Sequence, residues 1–156
     1  MKKLFSVLAV LFVIGTANLF AVGLGAQGGC SVGDSFSPNG AITFKVDSLP
    51  CVFAVDANFG DVTTLGVSAD WWIANPKIEG TWGYYYGIGV AGSFTSVKDS
   101  TNIALGGRAL IGTNVFLLDN FIELYLQGAW QPMFRIGNDS KLFNAFPINL
   151  GFRIWF

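Results

Sequence analysis

The chain has 156 residues, enough for one domain, of which 52% are hydrophobic and only 12% charged, about half the charge of an average globular protein. That leaves little with which to clothe a soluble domain, yet no stretch reaches the roughly 18 to 20 apolar residues of a membrane helix. The formal net charge is −1 and there is no basic patch, which excludes a nucleic-acid footprint.

At the N-terminus Lys2 and Lys3 precede an apolar run from Leu4 to Ile14, and Gly15-Thr16-Ala17 offers a small-residue cleavage site. This is the pattern of a signal peptide, cut after Ala17 or after Ala21, because the run is too short to span a bilayer. Residues 1–21 are expected to be a leader and 22–156 the mature domain. Without Lys2 and Lys3, seven basic and ten acidic residues remain, a net charge of −3.

Beyond Ala21 helical periodicity is nearly absent and two-residue alternation nearly continuous. The pattern predicts eight strands, at 22–32, 40–47, 51–59, 63–74, 82–94, 102–113, 120–130 and 144–156. Turn signals separate them: Ser37-Pro38-Asn39-Gly40, Ser48-Leu49-Pro50, Gly60-Asp61, Asn75-Pro76, Lys98-Asp99-Ser100, Asp119-Asn120 and Gly137-Asn138-Asp139. Strands of this length use the whole mature chain and leave no room for a second domain. Only helices and closed barrels cross a bilayer. The expected fold is therefore all-β: an eight-stranded antiparallel up-and-down transmembrane β-barrel.

Charge sorts cleanly between the two strand faces. One face runs from Ile42, Phe44 and Val46 through Phe53, Val55, Trp71, Ile88 and Ile111 to Phe156, and carries no charge. The other holds Lys45, Asp47, Asp56, Asp70, Arg108, Glu123 and Arg153. A lipid-facing charge near the midplane of a barrel costs roughly 2–4 kcal/mol, so lipid imposes this sorting. A soluble barrel carrying a hydrophobic ligand would invert the two faces. Against it, the charged face also holds Gly66, Gly87, Gly89, Gly106, Gly112 and Gly151, which suit a packed lumen better than a solvated skin. Trp71, Trp82, Tyr84, Trp130, Phe146 and Phe156 suit aromatic girdles at the two interfaces.

Motifs for chemistry are scarce. Gly23, Gly25 and Gly28 have dinucleotide-binding spacing, but that fingerprint needs a preceding strand and a following helix, and alternation follows instead. The chain has no histidine, which removes Ser-His and Cys-His catalysis and the usual zinc ligands; no enzyme and no cofactor is expected. Cys30 and Cys51 fall at opposite ends of the predicted barrel, beyond the roughly 7 Å reach of a disulfide, so none is expected.

The C-terminus reads Leu150-Gly-Phe152-Arg-Ile154-Trp-Phe156, alternating hydrophobics closing on phenylalanine. With the strand pattern over 22–156, it resembles the small eight-stranded bacterial outer-membrane barrels of the OmpA transmembrane domain, OmpX and OmpW kind. The resemblance implies a place in the bacterial outer membrane, in contact with its lipid. It also implies recognition of the last strand by the barrel-assembly machinery, with Leu150, Phe152, Ile154 and Phe156 as the signal. The last strand then ends in the periplasm. Segments 33–39, 60–62, 95–101 and 131–143 become outward loops, and the longest, bearing Arg135, Asp139 and Lys141, is the expected contact site for an extracellular partner.

Inside, Glu123 and Arg153 lie level on neighbouring strands, with Arg108 expected on the other side of Glu123 and Tyr125 and Trp155 as bulk. Together they predict a plug. Lys45, Asp56 and Asp70 complete the expected lumen charge network, with the two aspartates solvated or bonded to Lys45. Three functions compete: a structural or surface-interaction barrel, a narrow pore for small solutes, and a soluble-type carrier. Eight strands leave an interior just wide enough for side chains to fill, which favours the first.

Overall fold

The computed structural model describes residues 21–33, 36–60, 62–97, 100–136 and 140–156, and among them every regular element is a strand. These are β1 (Val22–Val32), β2 (Ser37–Val46), β3 (Cys51–Phe59), β4 (Thr63–Ala74), β5 (Lys77–Glu79), β6 (Trp82–Val97), β7 (Ser100–Leu117), β8 (Ile122–Ile136) and β9 (Lys141–Trp155). The eight long strands pair in the order β4-β3-β2-β1-β9-β8-β7-β6, and β4 also pairs with β6. The antiparallel sheet therefore closes on itself as an eight-stranded barrel. Short β5 folds back on the start of β6. Val22 and Phe156 meet at the seam: the Val22 N–H donates to the Phe156 carbonyl at 3.1 Å, and the Phe156 N–H to the Val22 carbonyl at 3.0 Å. The leader expected at 1–21 lies, except for Ala21, outside the described residues, as does Asp139.

β1, β3 and β4 occupy their predicted ranges, and the others are longer. Pro38-Asn39-Gly40 belongs to β2 rather than to a turn. Pro38 faces Cys30 on β1, while the ladder to β3 begins only at Asn39. It thus sits where one side is unpaired, a place a residue with no N–H can occupy. The loop expected at 131–143 is mostly strand, with Arg135 opposite Lys141 across the β8–β9 hairpin. Pro132 does not end β8. The β7–β8 ladder has Gly106↔Met133 and Ala109↔Trp130 and no pair between them, and this gap accommodates the missing donor. At the opposite end, Leu118, Asp119 and Asn120 all have positive φ, at 50°, 54° and 70°. Asp and Asn tolerate that conformation, whereas at Leu118 it is strained.

The strands tilt steeply. One line of register partners runs Cys51, Trp71, Ile88, Ala109 and Trp130, from the foot of β3 to well up β8. Trp71 lies near the end of β4, opposite Cys51 at the foot of β3. The Trp82 indole N–H donates to Thr113 Oγ1 at 2.7 Å and that of Trp130 to Asn144 Oδ1 at 3.0 Å, so both outward rings have a hydrogen-bond partner.

Alternation along these strands puts the apolar face outside. Ile42 is 70% exposed and Ile111 65%, while Thr43, Lys45, Asp70, Arg108, Glu123 and Arg153 are buried inside. This overturns the soluble-carrier arrangement, which needs an apolar lumen and a polar skin. Ile88→Arg on the outer face is expected to lower stability in lipid bilayers by about 2–4 kcal/mol. Urea titration of the heat-modifiable folded band measures it, and an unchanged midpoint would contradict a lipid-facing Ile88.

Candidate functional site

The lumen has two halves. One lies at the end where Val22 and Phe156 pair, the other at the opposite end, towards Val32, Phe59, Val97 and Ile136. In the terminal half, β8–β9 register places Glu123 opposite Arg153. Both side chains are wholly buried, and Arg153 Nη1 donates to Glu123 Oε2 at 2.9 Å. The same oxygen accepts the Trp155 indole N–H at 3.2 Å, and Oε1 accepts Asn114 Nδ2 at 2.9 Å. One carboxylate thus receives three donors in a site closed to water, the setting in which charge-assisted hydrogen bonds are strongest.

Aromatic rings fill the space around this pair. The Arg153 guanidinium lies 4.1 Å from the Tyr125 ring centroid and 5.6 Å from that of Trp72. Its Nε and Nη2 have no hydrogen-bond acceptor among the described residues, and the ring faces supply cation–π attraction instead. Trp72 stacks on Tyr85 with centroids 3.9 Å apart. The Lys45 ammonium sits 5.1 Å from the Trp72 centroid and 5.4 Å from that of Trp155. Tyr85 donates to Gln127 and Tyr125 to Gln27, each at 3.1 Å. Glycine makes this packing possible: a Cβ on Gly151 would lie 2.5 Å from Tyr125 Cζ, and one on Gly112 would meet the Tyr85 ring.

The other half is open. A cavity of about 210 Å³ reaches from Gln27, Thr43 and Asn149 up to Asn102, Arg135 and Asn144. On its wall Arg108 Nε bonds Asp70 Oδ1 at 2.9 Å, and Arg108 Nη1 donates to Gln131 at 2.6 Å. Asp56 also lines it, accepting Asn58 Nδ2 at 2.8 Å.

The structure thus brings Glu123, Arg153, Tyr125 and Trp155 together as expected, and corrects two placements. Arg108 does not flank Glu123, because β7–β8 register sets Phe116 opposite Glu123 and leaves Arg108 far along β7. Asn114 takes its place. Asp56 and Asp70 do not bond Lys45, whose ammonium is held by the two indoles and, at 3.5 Å, by the Leu49 carbonyl. Sequence reasoning missed Asn114, Trp72 and Tyr85, although all three share the inward parity of their strands. Of the terminal signal, Leu150, Phe152 and Phe156 face outward and Ile154 is half-buried. Arg135 lies over the Phe143 ring, 5.1 Å from its centroid. Cys30 and Cys51 are free, one opposite Pro38 and Ile148, the other at the foot of β3 opposite Trp71.

No protein-family model matches the chain, and no curated protein matches it. Among solved structures it is similar to Neisserial surface protein A, at 16% identity and a TM-score of 0.59 over 88% of this chain and 97% of that one. Looser matches are the N-terminal β-barrel domain of Pseudomonas aeruginosa OprF, with 14% identity, 84% and 96% coverage and a TM-score of 0.43, and a major outer membrane protein from Thermus thermophilus, with 12%, 88%, 100% and 0.46. At these identities the likeness speaks for the fold, and only the first match carries weight. The fold of this chain is that of the small eight-stranded outer-membrane β-barrels.

Proposed function

We propose that the chain is a bacterial outer-membrane barrel, exported by its leader and inserted by the barrel-assembly machinery, that serves a structural or surface-interaction role and is neither an open channel nor an enzyme. The observation that carries this reading is the filled terminal half of the lumen, where Glu123, Arg153, Tyr85, Tyr125 and Asn114 are all fully buried. A lumen packed in this way argues against a continuous path for solutes. The contact surface then falls to the hairpin tips, among them the end of β8–β9 with Arg135 and Lys141. The loop-half cavity supports a second reading, a narrow pore for which the Glu123–Arg153 pair is the gate.

Planar-bilayer recording separates the two. The native barrel is expected to show no steady conductance, and an open native pore would overturn the structural reading. Removing one partner of a buried ion pair costs about 3–5 kcal/mol, so Glu123→Ala is expected to lower unfolding stability on that scale and to raise conductance. Unchanged values of both would contradict a plug.

Assembly and topology are open to test in cells. Deleting Phe156 is expected to leave export intact and to reduce outer-membrane insertion strongly; a normal yield of heat-modifiable barrel would remove it from the assembly signal. In a background lacking Cys30 and Cys51, a cysteine at Ser140 should label on intact cells and one at Lys77 should not. The reverse pattern would invert the topology.

A further inference from the structure

The lumen wall around Asp56 is built differently from the rest. In register Asp56 lies between Ala41 on β2 and Gly66 on β4. The cavity-lining positions around it are Asn39, Thr43, Ala54, Asn58, Thr64 and Ser68, all small and uncharged. A Cβ on Gly66 would lie 2.6 Å from each Asp56 carboxylate oxygen. The carboxylate thus lies across the β4 backbone, in space that only glycine leaves.

Charge accounting singles out the same residue. Of the lumen carboxylates, Glu123 is neutralised by Arg153 and Asp70 by Arg108. Asp56 has no ion-pair partner among the described residues and accepts one amide hydrogen, on Oδ1, from Asn58. Lys45 is held over two indoles in the terminal half, and Arg135 over the Phe143 ring. Another stretch of the cavity wall is apolar, formed by Ala91, Ala104 and Met133 with Phe143 packed against them. The volume, about 210 Å³, lies below the roughly 300–1,000 Å³ of pockets that take drug-sized ligands.

We propose that this hollow binds a small organic ammonium ion, with Asp56 Oδ2 as its counter-charge. The neutral amides and hydroxyls around Asp56 supply acceptors for the remaining N–H groups, and the wall of Ala91, Ala104 and Met133 takes the carbon body. A bare divalent cation is disfavoured because it calls for several oxygen ligands, usually more than one of them anionic, and no second carboxylate without a partner lines the hollow among the described residues.

The test uses the mature barrel in detergent micelles at fixed ionic strength, titrated calorimetrically with ethanolamine and with its neutral counterpart ethylene glycol. Ethanolamine is expected to bind saturably and at least about tenfold more tightly than the glycol, the scale of one hydrogen bond to a charged group. Asp56→Asn should erase that preference while the heat-modifiable band persists. Gly66→Ala, which keeps the charge but fills its space, should weaken amine binding. No amine binding, equal binding of the glycol, equal competition by sodium ion, or indifference to Asp56→Asn would each overturn the proposal.

Discussion

The pairing of β1 with β9 removes the last free edge of the sheet, and the rest of the structure depends on that closure. Inside a bilayer no water is present to satisfy a backbone N–H or C=O, and each group left unpaired costs several kcal/mol. From Gly23 opposite Trp155 to Val32 opposite Phe146, the seam supplies those partners. Closure also defines an inside and an outside. With a side-chain period of two, every strand must then send alternate residues to lipid and to a narrow lumen, and the separation of charge from apolar residues follows.

A lumen this narrow is itself a packing problem. Large rings in the terminal half fit because glycines on neighbouring strands leave room, Tyr125 over Gly151 and Tyr85 against Gly112. Buried ion pairs rarely add net stability relative to apolar residues of similar size, but either partner alone is costly. Glu123 and Arg153 face each other on β8 and β9 and share a cage of Asn114, Trp155, Tyr125 and Trp72. A slip of either strand by one residue would send a charge towards lipid. The pair therefore locks register as well as closing the barrel. In the other half the inward residues are smaller, and the cavity, lined by an Asp56 with no ion pair among the described residues, is what remains.

The fold was legible in the sequence because alternation and charge sorting report directly on a closed sheet in lipid. Glu123 and Arg153 were legible for a related reason: each lies close to the terminal end of its strand, so their level could be counted along neighbouring strands. The partner of Arg108 was not, since strand tilt carries register partners up the barrel from one strand to the next, and counting from strand ends fails across several strands. Strand ends failed where a proline lies inside a strand, with Pro38 expected in a turn and Pro132 in a loop. Pro38 and Pro132 both lie within strands, at places where a ladder has not begun or is interrupted. The hollow around Asp56 could not be seen at all, because the small residues on β2, β3 and β4 enclose a space only when closure brings the later strands across from them.

The central claim is that adjacent residues face lipid and lumen in turn around a closed barrel. Trp71 and Trp72 test it within one dipeptide, being 54% and 5% exposed. Single-tryptophan variants retaining only one of the two can be refolded into bilayers whose acyl chains carry bromine, a contact quencher of indole fluorescence. Strong quenching of Trp71 with Trp72 spared is the expected result. Equal quenching of both, or quenching of Trp72 alone, would contradict the barrel orientation and the buried plug with it.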